Sequence, residues 1–207
     1  DLVVYPTNEE DVEKILRSSI DNNVCLVPYG GGTNVSCALS VPKNENRMVV
    51  SIDMSRLNEL ISIDKENNLA TFGAGIKGKD LEEILNKEGY TCGHEPDSIE
   101  FSTLGGWIST NASGMKRSKY GNIEDIVINY KLHTPKGILE KFINTPRNSH
   151  GSNIDSMIFG SEGNYGIISQ ATIKINKKPD IIDYQSIVFP NFDVGVNFMK
   201  ELTVNNV

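Results

Sequence analysis

The chain has 207 residues, 38% of them hydrophobic and 23% charged, with a net charge of −7. That length can bury a substantial core, as one domain or as two close subdomains, while the acidic balance argues against nucleic acid or an anionic membrane as the main partner. No apolar run approaches the roughly 18 residues of a membrane span, and Cys25, Cys37 and Cys92 are odd in number without CxxC spacing, which favours a reducing compartment over a disulfide framework. The sequence opens at Asp1 without a methionine and stops at Asn205-Asn206-Val207 inside a helical pattern. It is read as a piece of a longer protein, with any targeting segment out of view.

Thr7-Asn8-Glu9-Glu10-Asp11 places a capping residue before an acid-rich first turn, and Val12, Ile15, Leu16 and Ile20 follow at helical spacing up to Asn22-Asn23. Val24-Cys25-Leu26-Val27 reads as a short buried strand. Further strands are expected at residues 48–52, 60–64 and 69–72, and a short helix at 80–88 with Leu81, Ile84 and Leu85 on one face. Residues 126–133 and 138–142 predict a hairpin around Thr134-Pro135-Lys136-Gly137, a β-turn by composition. Residues 167–175 and 185–189 read as strands, and Asn191 caps a helix through Met199. Helices and strands mix without a regular βαβ rhythm, so the predicted class is α+β.

The stretch from Phe101 to Tyr120 concentrates Thr103, Gly105, Gly106, Thr110, Asn111, Ser113 and Gly114 around only four apolar residues, Leu104, Trp107, Ile108 and Ala112. Glycine and serine cost helix propensity and bury little, so a core helix is not expected there. The composition suits backbone that approaches a ligand closely, with small hydroxyl and amide groups to bond it. Two further glycine-rich loops flank it at a distance: Pro28-Tyr29-Gly30-Gly31-Gly32-Thr33-Asn34-Val35 after a strand, and Phe159-Gly160-Ser161-Glu162-Gly163-Asn164-Tyr165-Gly166 before one. Three such loops read as walls of one large cofactor site. The first has glycines that permit positive φ and align backbone N–H groups toward an anion, with a structural tight turn as the alternative. No Gly-Lys-Ser/Thr follows, so it is not a Walker A loop.

Several features carry a weaker message. Gly73-Ala74-Gly75-Ile76-Lys77-Gly78 matches GxGxxG, with Asp97 19 residues on, but Asp97 does not follow a strand as a dinucleotide fold requires. The segment is read as a structural strand-to-helix turn in which Gly78→Ala does little. Cys92, His94, Glu95 and Asp97 match no standard zinc spacing, so no metal is expected. His133 and His150 are taken as surface or structural groups rather than catalysts. Asn34-Val35-Ser36 and Asn111-Ala112-Ser113 are formal glycosylation sequons inside ligand loops and are read as chance. The basic run Met115-Lys116-Arg117-Ser118-Lys119 is either a solvated loop or a counter-charge for phosphate.

PYGGGTNV, HEPDSIEFSTLGGWISTNASGMKRSKYGNIED and FGSEGNYGIISQATIKI together resemble the FAD-binding PCMH-type domain of the vanillyl-alcohol-oxidase superfamily. Within it, HEPDSIEFSTLGGW and SGMKRSKYGNIED resemble the alkyldihydroxyacetonephosphate synthase (alkylglycerone-phosphate synthase) family. The resemblance covers residues 3–200 and implies FAD between two α+β subdomains within 1–183, divided near 54–66, with 184–207 opening a C-terminal cap domain. It implies that Pro28, Tyr29, Gly30, Gly31, Gly32, Thr33 and Asn34 wrap the pyrophosphate. Asp97, Ser98, Ile99, Glu100, Phe101, Ser102 and Thr103 would line the rest of the cofactor. Thr110, Asn111, Ala112 and Ser113 would join them, as would Glu162, Gly163, Asn164, Tyr165, Gly166, Ile167 and Ile168. Gly31-Gly32-Thr33-Asn34 offers neither His nor Cys, so FAD is expected to be non-covalent.

Asn164-Tyr165 stands where this family commonly has Thr-Leu, Asn111 where an Arg is common, and residues 146–152 match a family loop only in part. Tyr165 is large enough to crowd a flavin. The activity implied is exchange of the acyl group of acyl-dihydroxyacetone phosphate for a long-chain alcohol in ether-lipid synthesis, without net redox change. Its catalytic residues are unknown here and expected in the cap. A homodimer, a peroxisomal or related location and room for peripheral membrane association follow from the same resemblance. The alternative is an FAD-linked oxidase or dehydrogenase of a 2-hydroxy acid such as D-lactate or glycolate, which shares the first and third loops. A third is a flavin-binding module without catalysis of its own.

Overall fold

The computed structural model describes residues 2–147, 149 and 151–205. A small parallel sheet comes first, in the order β1-β3-β2, from β1 (Leu2–Val4), β2 (Cys25–Tyr29) and β3 (Val49–Asp53). Helix α1 (Glu9–Asp21) crosses between β1 and β2. Its start is set locally: the Asn8 side chain accepts from the Asp11 N–H at 2.9 Å, and Glu9, Glu10 and Asp11 complement the positive end of the helix. Val12 is fully buried against Ile52, Met54, Leu57 and Ile167. Pro28 sits on the edge strand β2, where its missing N–H is tolerated.

A single 3-10 turn (Met54–Arg56) leads to the larger sheet, which is antiparallel in the order β4-β5-β9-β7-β8. Its strands are β4 (Leu60–Asp64), β5 (Leu69–Gly73), β7 (Val127–Thr134), β8 (Gly137–Leu139) and β9 (Ile167–Lys174). Between β5 and β7 the chain makes α2 (Gly78–Lys87), β6 (Tyr90–Thr91), α3 (Leu104–Thr110), α4 (Arg117–Tyr120) and α5 (Ile123–Ile126). Thr134 pairs with Gly137, so the turn at Pro135-Lys136 closes as composition predicts, although β8 ends at Leu139. The main core is built on Phe72, Ile76, Leu81, Leu85, Leu104, Trp107, Ile108, Ile123, Ile126 and Ile173, each at most 1% exposed. Burial of each such side chain contributes about 1.5–3 kcal/mol before conformational entropy is set against it. After β9 come the two-residue β10 (Asn176–Lys177), paired with β6, and α7 (Phe192–Val204), capped by Asn191 and without a buried residue. A four-residue helix, α6 (Asp155–Ile158), precedes β9.

Two expectations are corrected. Residues 185–189 form no strand: Ile187 and Val188 are exposed, and no neighbouring strand supplies a ladder. Residues 104–110 do form a buried helix despite their glycines. Thr103 caps it by accepting from the Gly106 N–H at 3.2 Å, and Asn111 ends it in the left-handed region at φ 49°. Gly105 is required by packing rather than propensity. A Cβ there would lie 3.0 Å from the Ala74 Cβ, and the Gly105 N–H donates to the Ala74 carbonyl at 2.8 Å. Tertiary packing overrides helix propensity here.

The GAGIKG turn proves structural, though not permissive. A Cβ on Gly75 would fall 1.7 Å from the Met54 carbonyl oxygen, and one on Gly73 would fall 2.3 Å from that of Leu57. These glycines let the connection between the sheets lie directly on the turn, with the Gly75 N–H donating to the Leu57 carbonyl at 2.8 Å. Gly75→Ala is therefore expected to cost at least about 3 kcal/mol. Its denaturation midpoint should fall well below that of Gly89→Asn, at a glycine with open space around it whose φ of +83° asparagine tolerates better than other residues; equal midpoints would refute the packing account.

Candidate cofactor site

The three glycine-rich loops converge on one cavity of about 410 Å³. The first wall is Pro28, Tyr29, Gly30, Gly31, Gly32, Thr33 and Asn34, continued by Val35, Ser36, Ala38 and Leu39. It leaves β2 and lies flat on the next wall. A Cβ on Gly31 would fall 2.1 Å from the Phe101 carbonyl oxygen, and one on Gly30 would fall 2.3 Å from Thr103 Oγ1. Of the three consecutive glycines only Gly32 takes a positive φ, +67°. Gly31 is thus needed for close approach, not for a left-handed backbone as expected from sequence. The N–H groups of Gly31, Gly32, Thr33 and Asn34 have no protein hydrogen-bond partner among the described residues.

The second wall runs from Pro96 and Ser98 through Ser102, Thr103, Gly105, Gly106, Trp107 and Ser109 to Thr110, Asn111, Ala112 and Ser113. Residues 96–102 form tight turns, with the Ser102 N–H donating to the Ser98 carbonyl at 2.8 Å. Residues four apart share a face, so Ser98 and Ser102 reach the cavity together. Asp97, Ile99, Glu100 and Phe101, expected beside the cofactor, are not among the lining residues. Asp97 and Glu100 are exposed, Phe101 turns out to solvent at 60% exposure, and Ile99 packs on the core. Phe101 contributes only its carbonyl, against Gly31.

The third wall is Glu162, Gly163, Gly166, Ile167 and Ile168. It is tied to α3 by two bonds: the Glu162 N–H donates to Ser109 O at 2.8 Å and the Gly160 N–H to Ile108 O at 3.1 Å. Glu162 itself sits at φ +48°, and its carboxylate accepts from Ser36 Oγ, joining the third wall to the first. Asn164 and Tyr165, both predicted to line the site, face outward. The Asn164 amide donates to Ser161 O at 2.8 Å and Tyr165 is half-exposed. Tyr165 therefore does not crowd the cavity. Ile167 and Ile168 divide by strand alternation, Ile167 into the core beneath α1 and Ile168 into the main core.

Sequence reasoning missed Gly105, Gly106, Trp107 and Ser109 as lining residues because it did not place a helix there. The Thr103 cap with Gly106, Trp107 and Thr110 at helical spacing was the available signal. Met54 and Ala74 also line the cavity, and nothing in the sequence marks them. Gly78 bears on the site from behind, since a Cβ there would lie 2.4 Å from the Trp107 ring. This corrects the expectation that Gly78→Ala is innocuous.

Trp107 Nε1 donates to Ser102 Oγ at 2.8 Å, and its ring meets the His94 ring edge-on, centroids 4.7 Å apart. His94 is buried, and that burial lowers its pKa to about 4, so it is neutral at physiological pH. Burial, with the Glu82 charge adding to it, pushes the Cys92 thiol up to about 12 and leaves it unreactive. Glu82 caps this bend by accepting from the Cys92 and Gly93 N–H groups at 2.9 and 3.0 Å. Among the described residues no His, Cys, Asp and Glu cluster could hold a metal. His133 is buried and structural, while His150 lies outside the described residues.

Among the described residues Glu162 is the only charged side chain lining the cavity. The basic run lies elsewhere: Lys116 pairs with Glu95, and Arg117 reaches Ser113 Oγ at 3.2 Å from an exposed position. A dianionic pyrophosphate would thus meet neutral donors, the row of unpaired N–H groups at 31–34 and the hydroxyls of Thr33, Ser98 and Thr103. The surface is chemically suited to it, and the glycines keep Cβ atoms out of its way.

Residues 1–142 match the FAD binding domain family, and the chain belongs to that family. FAD is its cofactor, and the observed α+β architecture is that of the PCMH-type fold. The chain is 50% identical over 99% of its length to the alkyldihydroxyacetonephosphate synthase of Caenorhabditis elegans, covering 34% of that protein. It is 40% identical over 100% of its length to the enzyme of the same name from Dictyostelium discoideum, again covering 34%. A solved alkyldihydroxyacetonephosphate synthase structure superposes with a TM-score of 0.91 at 39% identity, over 99% of this chain and 37% of that one. The chain thus spans about a third of the length of these relatives. Flavin-linked oxidoreductases stand further off, at 31% identity or below.

Gly31→Ala, which forces a methyl group onto the Phe101 carbonyl, should reduce flavin per protein at least tenfold, and Gly78→Ala should lower it through displacement of the Trp107 ring. Flavin absorbance of the purified variants reads both outcomes. Full occupancy in Gly31→Ala would refute the assignment of the first wall.

Proposed function

We propose that this chain is the FAD-binding part of an alkylglycerone-phosphate synthase, which exchanges the acyl group of acyl-dihydroxyacetone phosphate for a long-chain alcohol. The observation that carries the reading is the 40–50% identity, end to end, with relatives bearing that name, together with a cavity in this chain fit for the cofactor. The hydroxy-acid oxidase reading is the weaker one, because its members share the first and third loops but stand at lower identity.

In this reading the two sheets are the subdomains that flank FAD, meeting at residues 54–66, and residues 184–207 open the cap domain. The absence of any buried side chain on α7, among the described residues, supports that assignment. The residues of 28–34, with Ser98, Ser102 and Thr103, hold the pyrophosphate and adjoining ribityl and ribose hydroxyls. Those of 105–113 and 162–168 enclose the remainder. FAD supplies an electrophilic ring system when bound. The chain binds and orients it, and Ile167, Ile168, Trp107 and Ala112 exclude water from part of its surface. The groups that move protons at the substrate lie in the cap, so none is assigned here. Binding is non-covalent: no His or Cys lines the cavity among the described residues. Assembly as a homodimer, peripheral membrane association and a peroxisomal or related location belong to the same proposal.

Acid precipitation of the flavin-loaded protein should leave colourless polypeptide and yellow supernatant; colour in the pellet would refute non-covalent binding. The complete protein given acyl-dihydroxyacetone phosphate and a long-chain alcohol should form an ether-linked product without oxygen uptake. Steady oxygen or dye reduction with D-lactate or glycolate, and no ether product, would transfer the assignment to the oxidase class.

A further inference from the structure

The first wall continues past Asn34. Residues 33–47 run on between β2 and β3 without one buried residue, and Val35, Ser36, Ala38 and Leu39 among them line the cofactor cavity. The ends of this segment are pinned. Gly31 lies on the Phe101 carbonyl, and Met48 O accepts from the Cys25 N–H at 2.9 Å. Between the ends the segment is ordered by its own bonds. The Ser40 N–H donates to Cys37 O at 2.9 Å and the Glu45 N–H to Pro42 O at 3.0 Å. Arg47 grips Glu45 through Nε at 2.9 Å and Nη2 at 2.6 Å. Val35, Ala38 and Leu39 pack into neither core cluster. Among the described residues a single hydrogen bond joins 33–47 to the body of the protein, from Ser36 Oγ to the Glu162 carboxylate. Ser36 Oγ also lies 3.4 Å from Asn34 Oδ1, but it has one proton, and the carboxylate is the stronger acceptor.

The other end of that bond is rigid. The Glu162 N–H donates to Ser109 O at 2.8 Å, which holds the residue at φ +48°, a conformation that a residue with a Cβ keeps only where its surroundings enforce it. With the Gly160 N–H on Ile108 O, this makes the second and third walls one body. Glu162 is also a poor neighbour for a pyrophosphate unless its carboxylate is engaged elsewhere, and Ser36 engages it. We propose that residues 33–47 form a strap across the cofactor cavity, hinged at Gly32 and Met48, that the Ser36–Glu162 hydrogen bond is its latch, and that FAD enters and leaves when the latch parts.

A latch has a kinetic signature that a direct contact lacks. It stabilises the closed strap whether or not FAD is present, so its loss populates the open strap in both states. Uptake and release then quicken together. A side chain that merely holds the cofactor acts on release, and its loss leaves uptake as it was. Ser36 and Glu162 are positioning residues in this scheme.

The test loads the complete protein with FAD. Release is read from the rise of free flavin fluorescence on dilution, and uptake from its quench when FAD is added back. Ser36→Ala, at an exposed side chain, should speed both by about fivefold, the worth of one exposed hydrogen bond to a carboxylate. Ser36→Thr keeps the hydroxyl and should keep both rates near wild type. Ser36→Ala/Glu162→Ala should release no faster than Ser36→Ala, since both changes remove the same bond. Trypsin cleavage after Lys43 should also quicken in Ser36→Ala, because cleavage follows the population of the open strap. Faster release with unchanged or slower uptake overturns the strap, as do wild-type rates in Ser36→Ala. Faster release in the double variant overturns Glu162 as the latch partner. The inference rests on FAD as cofactor and not on the acyl-exchange reading, and cleavage after Lys43 in flavin-free protein tests the latch even if no flavin binds.

Discussion

The contact on which this structure depends is backbone against backbone, Gly31 on the carbonyl of Phe101. It lets a loop leaving the small parallel sheet rest on a segment that also borders the large antiparallel one. Residues 101–106 are held from the other side as well: the Gly78 N–H donates to Ser102 O at 3.0 Å, the Leu104 N–H to Ile76 O at 3.0 Å and the Gly105 N–H to Ala74 O at 2.8 Å. One strip of chain is thus sandwiched between a glycine loop and a glycine turn. Side chains at Gly30, Gly31 or Gly105 would each push the strip away from one neighbour, and one at Gly78 would press on Trp107 just beyond it.

How much of this could be read from sequence depends on whether the signal was local. The cap at Asn8, the turn at Pro135-Lys136 and the strand before PYGGG are written in adjacent residues, and the structure follows them. The three loops were legible as one site because glycine runs joined to strands are uncommon outside close-approach surfaces. The helix at 104–110 was not, because its stability comes from Trp107 and Ile108 in the core and from Ala74 beneath Gly105. Residues 185–189 erred in the opposite direction: an apolar run reads as a strand, but a strand exists only where a partner supplies hydrogen bonds.

The same distinction applies residue by residue in the site. Resemblance assigned whole segments, 97–103 and 162–168, to the cofactor. Turns in both segments bring Ser98, Ser102, Glu162, Gly163 and Gly166 to the cavity and leave Asp97, Glu100, Phe101, Asn164 and Tyr165 outside its lining. Which side of each segment borders the cavity is decided by hydrogen bonds such as Ser102 N–H to Ser98 O, which no spacing rule announces. Met54 and Ala74 enter through the fold of the linker alone.

The cavity's chemistry is that of fixed neutral dipoles. Among the described residues no lysine or arginine lines it, and the one charged side chain that does is an anion engaged by Ser36, in a chain of net charge −7. Attraction by mobile cations would be screened by salt and would cost side-chain entropy on binding. Backbone N–H groups at 31–34 are positioned once, by folding, and need no rearrangement to meet an anion. Left empty, such a row must be satisfied by water in a partly enclosed space. Filled, each donor gains a charge-assisted bond of roughly twice the usual strength. Occupancy and stability are therefore one equilibrium: whatever holds the walls at the right separation raises affinity, and the ligand in turn stabilises the folded chain by mass action. Groups that line no part of the cavity, the Gly75 turn among them, therefore bear on how firmly its walls are held.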